Sequence, residues 1–92
     1  MKEIKEGDIL LLPKDSTLTP FGLEKEMPNV ELVEYRVIEL YSEEGVDRIV
    51  LKRMSGKIHY IRYLEDVMKM LETIKQWSNK LKEVENEQRN QI

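Results

Sequence analysis

Hydrophobic and polar positions fall into three regimes along the chain. Gly7-Asp8 breaks a short charged lead, and the continuous apolar run Ile9-Leu10-Leu11-Leu12 then stops at Pro13, which cannot continue a hydrogen-bonded ladder. This predicts a short strand. From Pro13 to Asn29 the chain carries three prolines, Gly22 and the turn-prone pieces Lys14-Asp15-Ser16-Thr17 and Thr19-Pro20-Phe21-Gly22, with no sustained period of 2 or 3.6, so residues 13–29 read as a long loop. Val30 to Tyr41 is rich in β-branched and aromatic residues, with Tyr35 and Val37 alternating with Glu34 and Arg36. It predicts a long strand, bent by a bulge where the alternation changes phase near Ile38 and Leu40. Glu43-Glu44-Gly45 makes the next turn, and Arg48 to Met54 and Lys57 to Arg62 flank Ser55-Gly56 at the spacing of a tight hairpin.

From Tyr63 onward no glycine or proline occurs, and the rhythm becomes helical. Val67, Met70, Ile74, Trp77, Leu81 and Val84 repeat at intervals of 3 and 4, a heptad seam of roughly two and a half repeats. Leu64, Met68 and Leu71 widen the apolar stripe over the first turns only, while Ser78 and Glu85 stand at the corresponding later positions. A helix over 63–88 of about 25 residues is roughly 37 Å long, so its first half is expected to cover the sheet and its second half to project. Residues 89–92 are polar and are expected to fray.

The expected class is α+β: a four-stranded antiparallel sheet or an SH3-like small barrel over residues 1–62, followed by one long C-terminal helix, in one cooperative domain. Four strands with a long first connection and short later turns resemble SH3-like barrels over residues 7–62, although the aromatic signature that holds proline-rich ligands in peptide-binding SH3 domains is absent. A plain antiparallel sheet with a helix across it fits the same pattern.

Composition narrows the function classes. Ninety-two residues, 40% hydrophobic and 36% charged, suit one small domain. The apolar run near the start is only four residues long, which points to the cytoplasm as the place of action. Without cysteine there is no disulfide, thiolate metal site or thiol nucleophile. The single histidine, His59, lies in a strand, and nothing in the sequence joins it to Ser16 or Ser55 as a hydrolytic set. Glu43-Glu44 lacks the spacing of a calcium loop, and no phosphate-binding glycine motif occurs. The expectation is a non-enzymatic protein that needs no metal or cofactor.

Charge is distributed unevenly. Residues 1–47 hold twelve acids and five bases, residues 48–63 five bases and no acid, and residues 64–92 six acids and five bases. If Ser55-Gly56 turns the hairpin, Met54 opposes Lys57. Arg48, Val50, Lys52, Lys57, His59, Ile61 and Tyr63 then share one face, and Ile49, Leu51, Arg53, Ile58, Tyr60 and Arg62 the other. Arg48, Lys52, Lys57, His59 and Tyr63 form a candidate nucleic-acid surface, cations for phosphates and a ring for a base, against the alternative of a solvated sheet face. In the acidic half, Phe21, Glu24, Glu26 and Glu31 form a candidate surface for a basic protein partner, with Phe21 either anchoring that partner or folding back into the core. The seam Val67, Met70, Ile74, Trp77, Leu81 and Val84 is a candidate for self-association into a homodimer, or for packing on the protein's own sheet.

The leading expectation is therefore a protein-binding module. In size and style the chain looks like accessory proteins of Gram-positive phages and mobile elements, among which are inhibitors of host defence systems. The competing expectation is a small RNA- or DNA-binding regulator that uses the basic hairpin 48–63.

Overall fold

A computed structural model describes residues 3–90, with side chains through residue 79. The order of elements is β1 (Ile9–Pro13), α1 (Pro20–Glu26), β2 (Leu32–Glu43), β3 (Val46–Arg53), β4 (His59–Tyr63) and α2 (Leu64–Asn90). The strands form one antiparallel sheet in the order β1-β2-β3-β4. β1 and β4 are its two edges, so the sheet is open and the SH3-like barrel is not formed. α2 packs on the inner face, the face that a barrel would have to close upon itself, and α1 packs against α2.

The long strand bends where its alternation changes phase. Val37 pairs with Leu51 but Glu39 with Val50, so β2 carries an extra residue at Ile38 and Leu40 returns to the inner face opposite Ile49. The peptide groups of Val37 are met from the N-terminal arm: Gly7 N–H donates to the Val37 carbonyl and Val37 N–H to the Asp8 carbonyl, both at 2.8 Å. Glu44 and Gly45 turn β2 into β3 with φ of 52° and 76°, the pair of positive angles a two-residue hairpin requires. In the second hairpin Arg48 pairs with Tyr63 and Lys52 with His59, the register that Met54 opposite Lys57 implies.

The segment 13–29 is not the featureless loop its sequence suggested. It contains α1, started by Thr19, whose hydroxyl accepts from Gly22 N–H at 3.1 Å, with Pro20 at the first helical position. Fully buried Leu23 fixes α1 in the core, where α1 packs beside α2. From the sheet, Leu12, Tyr35, Val37, Ile49 and Leu51 meet Val67 and Met70 of α2. Tyr35 stands edge-on to Tyr60, centroids 6.1 Å apart at 78°, and its hydroxyl donates to the Pro13 carbonyl at 2.9 Å, so the one polar tip on this buried ring is satisfied. Among the described residues no helix is long and apolar enough to cross a membrane.

Candidate functional site

The helices leave the other face of the sheet uncovered, and the register defines what lies on it. Ile9, Arg36, Lys52 and His59 form one lateral row across all four strands. Toward the β2–β3 turn the next row holds the bulge residues Ile38 and Glu39, then Val50 and Ile61. Beyond it come Tyr41, Arg48 and Tyr63. On the opposite side of the cation row Leu11 pairs with Glu34. Ile9, Leu11, Ile38, Ile61 and Tyr63 are between 38% and 55% exposed, a concentration of large apolar side chains that an unpartnered sheet face does not need.

Like charges side by side destabilise a sheet, and among the described residues neither Arg36 nor its neighbour Lys52 has an ion-pair partner. Arg48, one row away, lies 5.4 Å above the Tyr63 ring, and its Nε is 3.6 Å from the Glu43 carboxylate. That distance is an ion pair beyond hydrogen-bond reach, consistent with an Nε that is buried and makes no hydrogen bond. The face is therefore amphipathic, with Ile38, Val50 and Ile61 beside Glu39 between the pair Arg36 and Lys52 and the single cation Arg48.

Arg53 belongs to the inner face. Its guanidinium donates to the Lys14 carbonyl at 2.6 Å and lies 5.8 Å from the centre of the Tyr35 ring, and the Tyr35 hydroxyl beside it raises its pKa above the ordinary arginine value. It ties β3 to the chain leaving β1. In the turn before α1, the Thr17 hydroxyl and then its N–H hold the Asp15 carboxyl below its ordinary value of 3.8.

Of the candidate nucleic-acid residues, Arg48, Lys52, His59 and Tyr63 share this open face, whereas Lys57 lies exposed in the connection before β4. Sequence reasoning left out Arg36, Tyr41, Ile9 and Leu11. The alternation of β2 contained the signal for Arg36, but only the pairing of β2 with β3 sets it beside Lys52. Of the candidate acidic surface, Phe21, Glu24 and Glu26 are exposed on α1. Phe21 is 67% exposed, so it does not fold back into the core, and the Lys25 ammonium lies 4.4 Å from the centre of its ring. Glu31 stands apart, before β2, paired with Lys14 at 3.5 Å.

The seam divides. Val67 and Met70 are buried in the protein's own core, and Ile74 and Trp77 are half-buried. Leu81 and Val84 lie outside the residues whose side chains are described. Leu64 and Leu71, expected with Met68 to widen the sheet-covering stripe, pack against the core, and all three also border a groove on one flank of α2, where Met68 is 40% exposed.

For chemistry, Ser16 sits in the turn before α1 and Ser55 in the β3–β4 turn, while His59 is exposed on the sheet. Among the described residues no group of three or more histidines and carboxylates is placed to hold a metal. Comparison with family models, with curated proteins and with solved structures returned no match.

Proposed function

We propose that this protein is a non-enzymatic binding module of the cytoplasm that docks through the open face of its sheet onto a protein surface with an apolar centre and an acidic rim. The observation that carries this reading is that Ile38, Val50 and Ile61, in a row with Glu39, lie between the cations Arg36 and Lys52, with His59 beside them, on one side and Arg48 on the other. The aliphatic row favours burial against another protein, and the unpaired cations favour carboxylates around it. The likeness in size and style to phage and mobile-element accessory proteins supports an inhibitory outcome of docking, in which the module covers a working surface of a larger host complex. Self-association along the end of α2, from Ile74 onward, supplies a homodimer that presents two such faces.

A second reading, nucleic-acid binding, is favoured by one specific observation: Tyr63 and Tyr41 flank Arg48 in the row next to Lys52 and His59. Glu34, Glu39 and Glu43 on the same strand weigh against a polyanion.

The test is retention from bacterial lysate, with and without nuclease, by the unaltered chain and by Leu11→Glu and Ile61→Glu, each first shown to be folded by circular dichroism. A partner that survives nuclease and is lost with both variants is expected. A partner lost with nuclease supports the second reading. One that both variants still retain removes the open face from either role.

A further inference from the structure

The inner face of the sheet is not wholly covered. α1 packs on α2, but no residue of α1 lines the groove of about 1130 Å³ that runs between α2, the N-terminal arm, the start of β1 and the β2–β3 turn. Its apolar lining includes Ile4, Ile9, Leu10, Val46, Leu64, Met68 and Leu71, along the flank of the core left after Val67 and Met70 have packed inward. Met68 and Val46 are 40% and 42% exposed there. The volume exceeds the roughly 300–1,000 Å³ of small-molecule clefts.

Six carboxylates stand among this lining: Glu3, Asp8, Asp47, Glu65, Asp66 and Glu72. Only Lys69 and Lys75 oppose them, and Lys69 is already held by Glu65 at 3.1 Å, one turn away. An apolar strip between acidic walls is the complement of a helix with an apolar stripe flanked by lysine and arginine.

We infer that this groove is a second docking site, which takes a basic amphipathic helix of a partner protein. The walls repel nucleic acid and anionic lipid. A second copy of the chain does not supply the complement: beyond Gln76 its helix carries Lys80, Lys82 and Arg89 against Glu83, Glu85 and Glu87, an even balance. The site lies on the other side of the sheet and uses none of Ile38, Val50, Ile61, Arg36, Lys52 or Arg48, Ile9 and Tyr63 being the open-face residues that touch both regions. Its fate is therefore separable from that of the proposed docking face.

The test titrates the full chain into a fluorescently labelled leucine/lysine amphipathic peptide of about eighteen residues, roughly 27 Å as a helix. A serine/lysine peptide of equal charge and a leucine/glutamate peptide are run beside it. Saturable binding of the leucine/lysine peptide is expected, weakened by salt, at least about tenfold tighter than the serine/lysine peptide, and absent for leucine/glutamate. The Met68 methyl resonance is expected to shift on binding. The double variant Asp47→Lys, Glu72→Lys, on exposed positions and checked for fold, should lose about tenfold or more in affinity, while Ile61→Glu on the open face leaves it unchanged. Equal affinity for the serine/lysine peptide, an unmoved Met68 methyl, or undiminished binding by the double variant would overturn the inference. So would dependence of binding on Ile61, since that would place the peptide on the open face.

Discussion

Leu23→Ala tests whether α1 is part of the core or an ornament on a loop. Leu23 is fully buried on a helix of seven residues, and α1 makes its helix contacts with α2. Truncating a buried leucine removes transfer energy and leaves a cavity, together costing about 2–5 kcal/mol according to how far the surroundings collapse. Two structural features pull in opposite directions. The short helix, free on its outer side, can settle inward, whereas the sheet behind Leu23, pinned by Tyr35 and Arg53, cannot. A middle value of about 3 kcal/mol follows, which for a domain of this size lowers Tm by roughly 12–24 °C. Urea unfolding followed at 222 nm measures it, with Phe21→Ala as the paired control. Phe21 is two residues away but 67% exposed, and loses only its contact with Lys25, so its cost is expected to stay below about 1 kcal/mol. If Leu23→Ala costs less than about 1 kcal/mol, or if the two variants cost the same, the placement of α1 is wrong.

Tyr35→Phe removes the donor to the buried Pro13 carbonyl and should cost about 1–3 kcal/mol with the ring packing kept, read by the same unfolding curves. Asp15 should titrate below 3.8 by carboxyl NMR and Thr17→Val should move its midpoint upward; because the folded value is the depressed one, the stabilising contribution of Asp15 is present above pH 3.8 and is lost as pH falls through its lowered midpoint. Trp77→Glu should convert the proposed homodimer to a folded monomer in light scattering; a monomer from the unaltered chain at high micromolar concentration would refute self-association.

The parts of the fold legible in the sequence are those set by nearest neighbours. Ser55-Gly56 implied the pairing of Arg48 with Tyr63 and of Lys52 with His59, because one turn fixes every later pair in a hairpin. The phase change near Ile38 located the bulge, since period 2 leaves no other way to keep both Val37 and Leu40 inward. α1 was missed although Thr19-Pro20 is a helix-start signal, because seven residues are too few to show a 3.6-residue period above the prolines and glycine around them. The helix seam shows the limit of periodicity most plainly. The 3-4 spacing of Val67, Met70 and Ile74 describes a stripe equally suited to a partner helix or to a sheet, and tertiary packing alone turned Val67 and Met70 inward and left Met68 and Leu71 along the groove. The open face was half legible for the same reason: the hairpin gave Arg48, Lys52, His59 and Tyr63, but Arg36 joins them only through a pairing between strands that no local pattern encodes.

Because every strand pairs only with its neighbour in the chain, and β4 runs into α2 without an intervening residue, the molecule can be assembled in the order in which it is synthesised. Loop closure costs little at each step, so the four strands are able to zip together as soon as Tyr63 has left the ribosome. Until the next ten or so residues emerge, however, Ile49, Leu51 and Val37 have water where Val67 and Met70 will lie. The segment made after the sheet is thus the one that completes the core, and a chain ended near Tyr63 by a nonsense codon or a protease would be left without its covering helix, a substrate for degradation rather than a smaller working version of the protein.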